Sequence, residues 1–364
     1  MPLENVTVTR YNEIQEVIRS SSRLAPRGAG SKTALQTTLS SVTTLNVSDL
    51  RGVLAYQPQE FTFTALAGTP LAEIERLLAE NGQYLPFDPP LVGRGATLGG
   101  TVAAGLSGPG RYRYGGIRDF ILGLRFIDGH GKVVRAGGKV VKNAAGFDLP
   151  KLMVGSLGRL GVMLELTFKV FPLPPSYGTL RSEFQALSAA LDAMLHLGRL
   201  PLDIAALELI PHANGAALYI RLAGDQQILP SRLNRLRAIL GLKDDEILAG
   251  QTEHDFWQEQ KEFTWIEAAH TLVKVPVTPR RVVALDKQLA AHGAARRYSA
   301  GANLAWVAWP GDSSTLDHML EEQGLSALAV LGANGQVRLG RQVGAAFEAR
   351  VKQALDPAGK WLAL

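Results

Sequence analysis

"LAPRGAGSKTALQ", residues 24–36, looks like a phosphate loop that has missed its register. The nucleotide-hydrolase pattern G-x-x-x-x-G-K-[ST] needs a glycine directly before the lysine, and here Ser31 stands between Gly30 and Lys32. The hydrolase reading fails, but the physics of the stretch survives. Gly28, Ala29, Gly30 and Ser31 are small enough to bring several backbone N–H groups close to an anion. Which anion that would be is decided by the rest of the chain.

A second run of small residues lies at 86–116, "PFDPPLVGRGATLGGTVAAGLSGPGRYRYGG", which cannot build an ordinary core by itself. It is not a dinucleotide fingerprint of the Rossmann type. Gly93, Gly95 and Gly99 are spaced G-x-G-x-x-x-G, and the run follows Pro-rich chain instead of a strand. Two Gly-rich loops, 26–33 and 93–105, thus fall within one unit bounded by strands, an arrangement suited to gripping a pyrophosphate from two sides. Each loop taken alone reads equally well as a simple turn.

Around these loops the pattern alternates between helix and strand. Tyr11, Ile14, Val17 and Ile18 share a helical face. Phe61, Phe63 and Ala65 alternate with Thr62 and Thr64 as in a half-buried strand. Thr69–Pro70 then reads as a cap and first turn for a helix with Leu71, Ile74, Leu77 and Leu78 on its buried stripe. "FILGLRFIDGHGKVVRAG", 120–137, predicts a hairpin, and Leu164, Leu166, Phe168 and Val170 predict a strand. Three prolines within 172–175 mark a boundary, dividing a domain at 1–174 from a second at 175–364. The second alternates strand-like runs ("AALYIRLAG", "LVKVPVT", "NLAWVAW", "ALAVLG") with amphipathic segments, predicting an α+β domain with helices on one side of its sheet.

The 364 residues contain no cysteine, which excludes disulfides, thiolate nucleophiles and cysteine-held iron–sulfur clusters on this chain. The net charge of +5 is dispersed, so no nucleic-acid footprint emerges. No apolar run suits a membrane span and the first residues lack a signal-peptide pattern, giving the expectation of a cytoplasmic protein, with peripheral attachment at the inner membrane face through partners allowed.

"GGKVVKNAAGFDLPKLMVGSLGRLGVMLELTFKV", 137–170, carries a family resemblance when read with "PRGAGSK", "DPP" and 95–124 in that order. The chain resembles the FAD-binding domain of the vanillyl-alcohol oxidase or PCMH type, and within it the flavin-binding subunits of glycolate oxidase-like complexes. The resemblance is close over about 20–175 and loose beyond. It implies a two-domain α+β fold whose C-terminal cap is an antiparallel sheet with helices. It further implies that Arg27, Gly28, Ala29, Gly30 and Ser31 hold the FAD pyrophosphate from one side. Pro89, Gly95, Ala96, Thr97, Gly99, Gly100 and Ala103 face it from the other, Tyr114 and Gly115 line the ribityl or ring region, and Gly161 and Val162 close the adenine end. Ala29 and Gly30 stand where covalent members carry the flavin-linking histidine, so the FAD is expected to be non-covalent.

Lys142 and Asn143 are expected beside the flavin, against the alternative of solvated hairpin lysines; Asp148 is read as a helix cap. Catalytic relatives carry a metal-binding histidine element in the cap, but the matching strand here, "GANLAWVAW" at 301–309, has no histidine, and no metal site is expected. Lys274 is the other weak catalytic candidate, pointing either toward a substrate carboxylate or to water. The implied function is two-electron oxidation of a small 2-hydroxy acid such as glycolate, with a catalytic FAD subunit and an iron–sulfur subunit as partners. The competing reading is a non-catalytic flavin-binding assembly subunit.

Overall fold

The helical stripe at the start of the chain forms the helix Tyr11–Ser20 with Ile14 and Ile18 buried, and the two serines after it let the backbone straighten into the strand Leu24–Arg27. In the computed structural model, residues 5–36, 41–138, 147–241, 245–332 and 335–362 are described. They divide into two compact units: Met1–Ser107, Gly116–Leu173 and Val343–Leu364 form the first, Gly108–Gly115 and Pro174–Gln342 the second. Relative to a cut at 174, the segment 108–115 passes to the second unit and 343–364 to the first. The physical reason for the latter is a set of backbone ties: Leu24 N donates to the Lys360 carbonyl at 2.7 Å, Leu362 N to the Leu24 carbonyl at 2.9 Å, and Gly129 N to the Leu355 carbonyl at 2.8 Å.

The first unit contains a three-stranded parallel sheet in the order Asn5–Thr7, Thr43–Asn46, Leu24–Arg27. Beside it stands a five-stranded antiparallel sheet in the order Val53–Gln57, Thr62–Leu66, Val162–Lys169, Ile121–Ile127, Val133–Gly137. The last two strands are the predicted hairpin, whose turn is fixed by Asp128: its carboxylate accepts from His130 N at 2.9 Å and Lys132 N at 3.0 Å. Cross-strand partners Phe63 and Phe168 stack with centroids 5.9 Å apart.

Two local expectations change. Phe61 is not part of the buried alternation: it ends a short turn in the left-handed region (φ 50°) and is 40% exposed, so pairing begins at Thr62. Thr69 does not cap the helix Leu71–Ala79, whose cap position is Pro70. Its buried hydroxyl accepts from Gly52 N at 2.9 Å and donates to the Leu66 carbonyl at 2.7 Å, pinning a loop instead. Leu71, Ile74 and Leu78 are buried as expected; Leu77 is half-buried.

The second unit is built on nine strands in the order Asp245–Ala249, Ser176–Phe184, Gly215–Gly224, Ile204–His212, Ala295–Ser299, Leu304–Trp309, Thr271–Pro276, Ser326–Leu331, Arg338–Gly340, every neighbouring pair antiparallel. Helices Leu187–Leu197, Leu229–Leu240, Pro279–Ala291 and Ser313–Glu322 cover one face, packing Leu191, Leu233, Leu285 and Leu316 against Leu180, Ile220, Val273 and Val307. The helices are not confined to that side. Helix Gly250–Glu262 lies on the opposite face, where Glu253 accepts from Thr179 Oγ1 at 3.0 Å and Arg221 Nε at 2.7 Å. Thr179 and Arg221 are cross-strand partners, and alternation along a strand puts Thr179 opposite the Leu180 face.

Candidate functional site: a glycine-lined cleft

The first unit holds a cleft of about 800 Å³, open mouth included, lined by residues 26–32, Leu35 and Gln36, by Val47 and Ala67, by Thr97, Gly99, Gly100, Ala103 and Ala104, and by Leu157, Gly158 and 161–163. Strand Leu24–Arg27 delivers the first loop to it, and the Arg27 carbonyl is tied to Val47 N at 2.8 Å. Gln36 Nε2 then donates to the Gly30 carbonyl at 2.6 Å and closes the loop on itself. Gly28 and Thr97 approach so closely that a Cβ at 28 would strike the Thr97 hydroxyl. Gly161 sits at φ 146°, and a Cβ there would meet the Ile127 carbonyl.

The two glycine segments do different work. Helix Leu98–Ala104 points its first turn at the cleft, yet its leading donors are spent within the protein: Leu98 N on the Thr69 carbonyl at 2.9 Å, Gly99 N on the Ala67 carbonyl at 2.8 Å, Gly100 N on Thr97 Oγ1 at 3.2 Å. This segment contributes a flat surface of small residues. Across Gly28–Ser31, by contrast, no backbone N–H is hydrogen-bonded among the described residues, so the donors for an anion belong to the first loop.

Of the residues expected at the cofactor, the cleft gathers Arg27, Gly28, Ala29, Gly30, Ser31, Thr97, Gly99, Gly100, Ala103, Gly161 and Val162. Pro89, Gly95 and Ala96 are not in its lining. Pro89 is buried, Gly95 lies in an exposed turn at φ 74°, and Ala96 is buried with its carbonyl accepting from Leu71 N at 2.8 Å. Tyr114 and Gly115 belong to the second unit. Lys142 and Asn143 lie outside the described residues. Asp148 does cap the helix Leu149–Met153, accepting from Lys151 N at 3.3 Å. Sequence reasoning passed over Lys32 as a site residue, and its one signal was the near-miss to a phosphate-loop lysine. Lys32 is 7% exposed, with Nζ 3.1 Å from Ser31 Oγ and 3.5 Å from Thr101 Oγ1.

The second unit carries a separate polar group on the sheet face opposite its four-helix layer. Lys274, Trp306 and Arg297 are successive cross-strand partners and so project from one face. Part of the Lys274 surface still meets solvent, but burial, and then the Arg111 charge, push its ammonium down to about 8. Beside Arg297, the fully buried Glu208 accepts from Ser299 Oγ at 2.5 Å, and burial pushes its carboxyl up to about 8. Arg297 bonds to Glu259 at 2.6 Å and lies 4.4 Å from the Trp265 ring centre. Among the described residues no group of three His, Cys, Asp or Glu is placed to hold a metal ion, and no helix is long and apolar enough to cross a membrane.

The FAD binding domain family matches residues 2–137. Glycolate oxidase subunit GlcE of Escherichia coli K12 is 41% identical over 250 residues, 69% of this chain and 67% of that protein. Glycolate oxidase subunit GlcD of Bacillus subtilis is 28% identical over 58% of this chain, and D-2-hydroxyglutarate dehydrogenase of Xanthomonas citri 29% over 48%. The alignments span 44% and 38% of those two proteins. Among solved structures, alkyldihydroxyacetonephosphate synthase superposes with a TM-score of 0.70 over 98% of this chain and 74% of that one, at 16% identity, a likeness of fold.

Proposed function

The chain belongs to the FAD-binding oxidoreductase family that includes the glycolate oxidase subunits, and on that premise we propose that it is the FAD-carrying subunit of a complex oxidising small 2-hydroxy acids, glycolate among them, to 2-oxo acids. The observation that carries the reading is the cleft itself, where Gly28–Ser31, whose backbone N–H groups are unbonded among the described residues, share one lining with small residues of 97–104. When bound, FAD supplies the two-electron acceptor. The protein's part is to bind and orient: Gly28–Ser31 donate backbone hydrogen bonds to the pyrophosphate, while Gly99, Gly100 and Ala103 let the chain lie flat against the cofactor. Thr97 Oγ1, which accepts from Gly100 N, keeps its own proton to donate. Ala29 and Gly30 offer no nucleophile to the flavin, so attachment is non-covalent.

The complex has, as its other members, a catalytic flavin subunit and an iron–sulfur subunit, the latter supplying the thiolates this cysteine-free chain lacks. Its setting is the cytoplasm, with attachment to the inner membrane face through those partners. A second reading, a non-catalytic flavin-binding subunit that supports a paralogous catalytic one, is favoured by the strand Leu304–Trp309, which has no histidine where catalytic relatives carry metal-binding ones.

An absorbance spectrum of the purified chain, before and after denaturation and then with anaerobic glycolate, tests both. Flavin bands that leave with denaturation are expected. Bleaching by glycolate selects the catalytic reading, and unbleached bands select the assembly reading. A chain that takes up no FAD on reconstitution refutes both.

A further inference from the structure

We infer that the outward face of the helix Ala345–Leu355 is a docking surface for another subunit of the proposed oxidase complex, one that presents an apolar surface carrying a carboxylate. The inference rests on the complex proposed above and names the surface by which this chain joins it. The helix, AAFEARVKQAL, is mostly apolar, and a helix so short depends on tertiary packing for its stability. Every other described helix of nine residues or more buries at least two side chains, whereas this one buries none. Half-buried Glu348, Val351, Lys352 and Leu355 recur at helical spacing and form its inward face. There Glu348 pairs with Arg159 at 3.2 Å, and Lys352 Nζ donates to the Arg159 carbonyl at 2.7 Å. Ala346, Phe347, Arg350 and Ala354 stand on the other side, all exposed. Phe347 is 60% exposed, and Val343, two residues before the helix, is 71% exposed. Large apolar side chains left in water at one end of an alanine-rich face mark a contact surface.

Charge on this face selects the occupant. Arg350 is its one ionised side chain; the guanidinium lies 5.9 Å from the Phe347 ring centre and pairs with no carboxylate among the described residues. Glu348 does not answer it, being turned to Arg159 on the inward face. A guanidinium covered by a partner needs a hydrogen-bonded carboxylate there, because its desolvation otherwise opposes the contact. A second copy of the same face would bring another Arg350 and no carboxylate, and two chains of net charge +5 repel each other. An acidic partner meets both requirements. The pairing of an exposed aromatic ring with an arginine also supplies the two residue types that most often anchor protein interfaces.

Biolayer interferometry of the full chain against the co-expressed catalytic flavin and iron–sulfur subunits of its complex tests this. Phe347→Asp and Arg350→Glu are each expected to weaken association about tenfold or more. Arg350→Glu is expected to lose more than Arg350→Ala, since it sets one carboxylate against another. Both side chains are exposed, so FAD uptake and melting temperature are expected to stay at their wild-type values. Should Phe347→Asp fail to fold, Val343→Glu, outside the helix, takes its place. The inference is overturned if these variants associate as wild type does, or if Arg350→Glu loses no more than Arg350→Ala, which denies the acidic partner. It is overturned as well if sedimentation shows the wild-type chain pairing with itself and Phe347→Asp leaving it monomeric, which makes the face a contact between copies. A wild-type chain that does not associate with those subunits refutes the complex reading and this inference with it, whereas wild-type association with indifferent variants refutes this inference alone.

Discussion

Glu208 and Lys274 lie on one sheet face of the second unit and give opposite pH signatures. Burial raises the Glu208 carboxyl to about 8, so between its ordinary value and 8 the folded chain holds a proton that the unfolded chain has lost. Its contribution to stability is full below the ordinary carboxylate value and is lost as pH rises through 8. Glu208→Gln, neutral at every pH, is expected to flatten this part of the profile in urea midpoints taken from pH 5 to 9; an unchanged slope would assign it to other groups. For Lys274 the folded value falls to about 8. The unfolded chain then binds more protons above 8, and stability rises with pH until the ordinary lysine value near 10.4. Lys274→Met is expected to raise the urea midpoint at pH 7, with the gain shrinking toward pH 10. A loss at pH 7 would mean that the ammonium is held by favourable contacts. If the same variant keeps flavin but no longer bleaches with glycolate, Lys274 meets the substrate.

At the scale of elements, one buried carboxylate holds the segment 343–364 in the shape that its backbone ties to the first unit require. Asp356 is 2% exposed; it accepts from Lys360 N at 2.9 Å and Trp361 N at 2.8 Å and pairs with Lys352, whose Nζ also donates to the Arg159 carbonyl at 2.7 Å. Removing one partner of a buried pair strands the other, so Asp356→Ala is expected to cost about 3 kcal/mol, read from urea midpoints. A cost below about 1 kcal/mol would show that backbone pairing alone holds the segment. Thr69 teaches the same lesson by contrast. Its position before a Pro-initiated helix satisfied every local rule for a cap, but Gly52, 17 residues away in the chain, offered its buried hydroxyl a backbone donor. Local preference yielded to a tertiary partner.

For the whole molecule, the cleft lies within the first unit, so FAD bound there, as proposed, is expected to stabilise that unit by mass action, about 2.7 kcal/mol at a hundred times its dissociation constant. Thermal melts are expected to shift upward with FAD, and, where two transitions resolve, one of them to stay in place. Equal shifts of both would mean that the units unfold together. The chain reaches this arrangement through long-range pairings: Asn5–Thr7 with Thr43–Asn46, Thr62–Leu66 with Val162–Lys169, and Leu24 with Trp361.

By itself the sequence determined the small-residue loops, the hairpin at 121–137, the periodic helices, the absence of thiol chemistry and the family, because each depends on neighbours within a turn, a strand or a motif. Residue size alone reveals where backbone can approach a ligand. The tertiary structure decided the rest. It moved Tyr114 and Gly115 to the second unit, laid the helix Gly250–Glu262 on the sheet's second face, spent the helix donors at Leu98–Gly100, and buried Lys32 in the cleft. The strands Ser176–Phe184, Ile204–His212, Asp245–Ala249 and Ala295–Ser299 escaped the pattern as well, since both faces of that sheet are covered in places and polar residues such as Thr179, Glu208 and Arg297 find partners there. Hydrogen-bond satisfaction and burial are properties of distant residues brought together, and no local spacing encodes them.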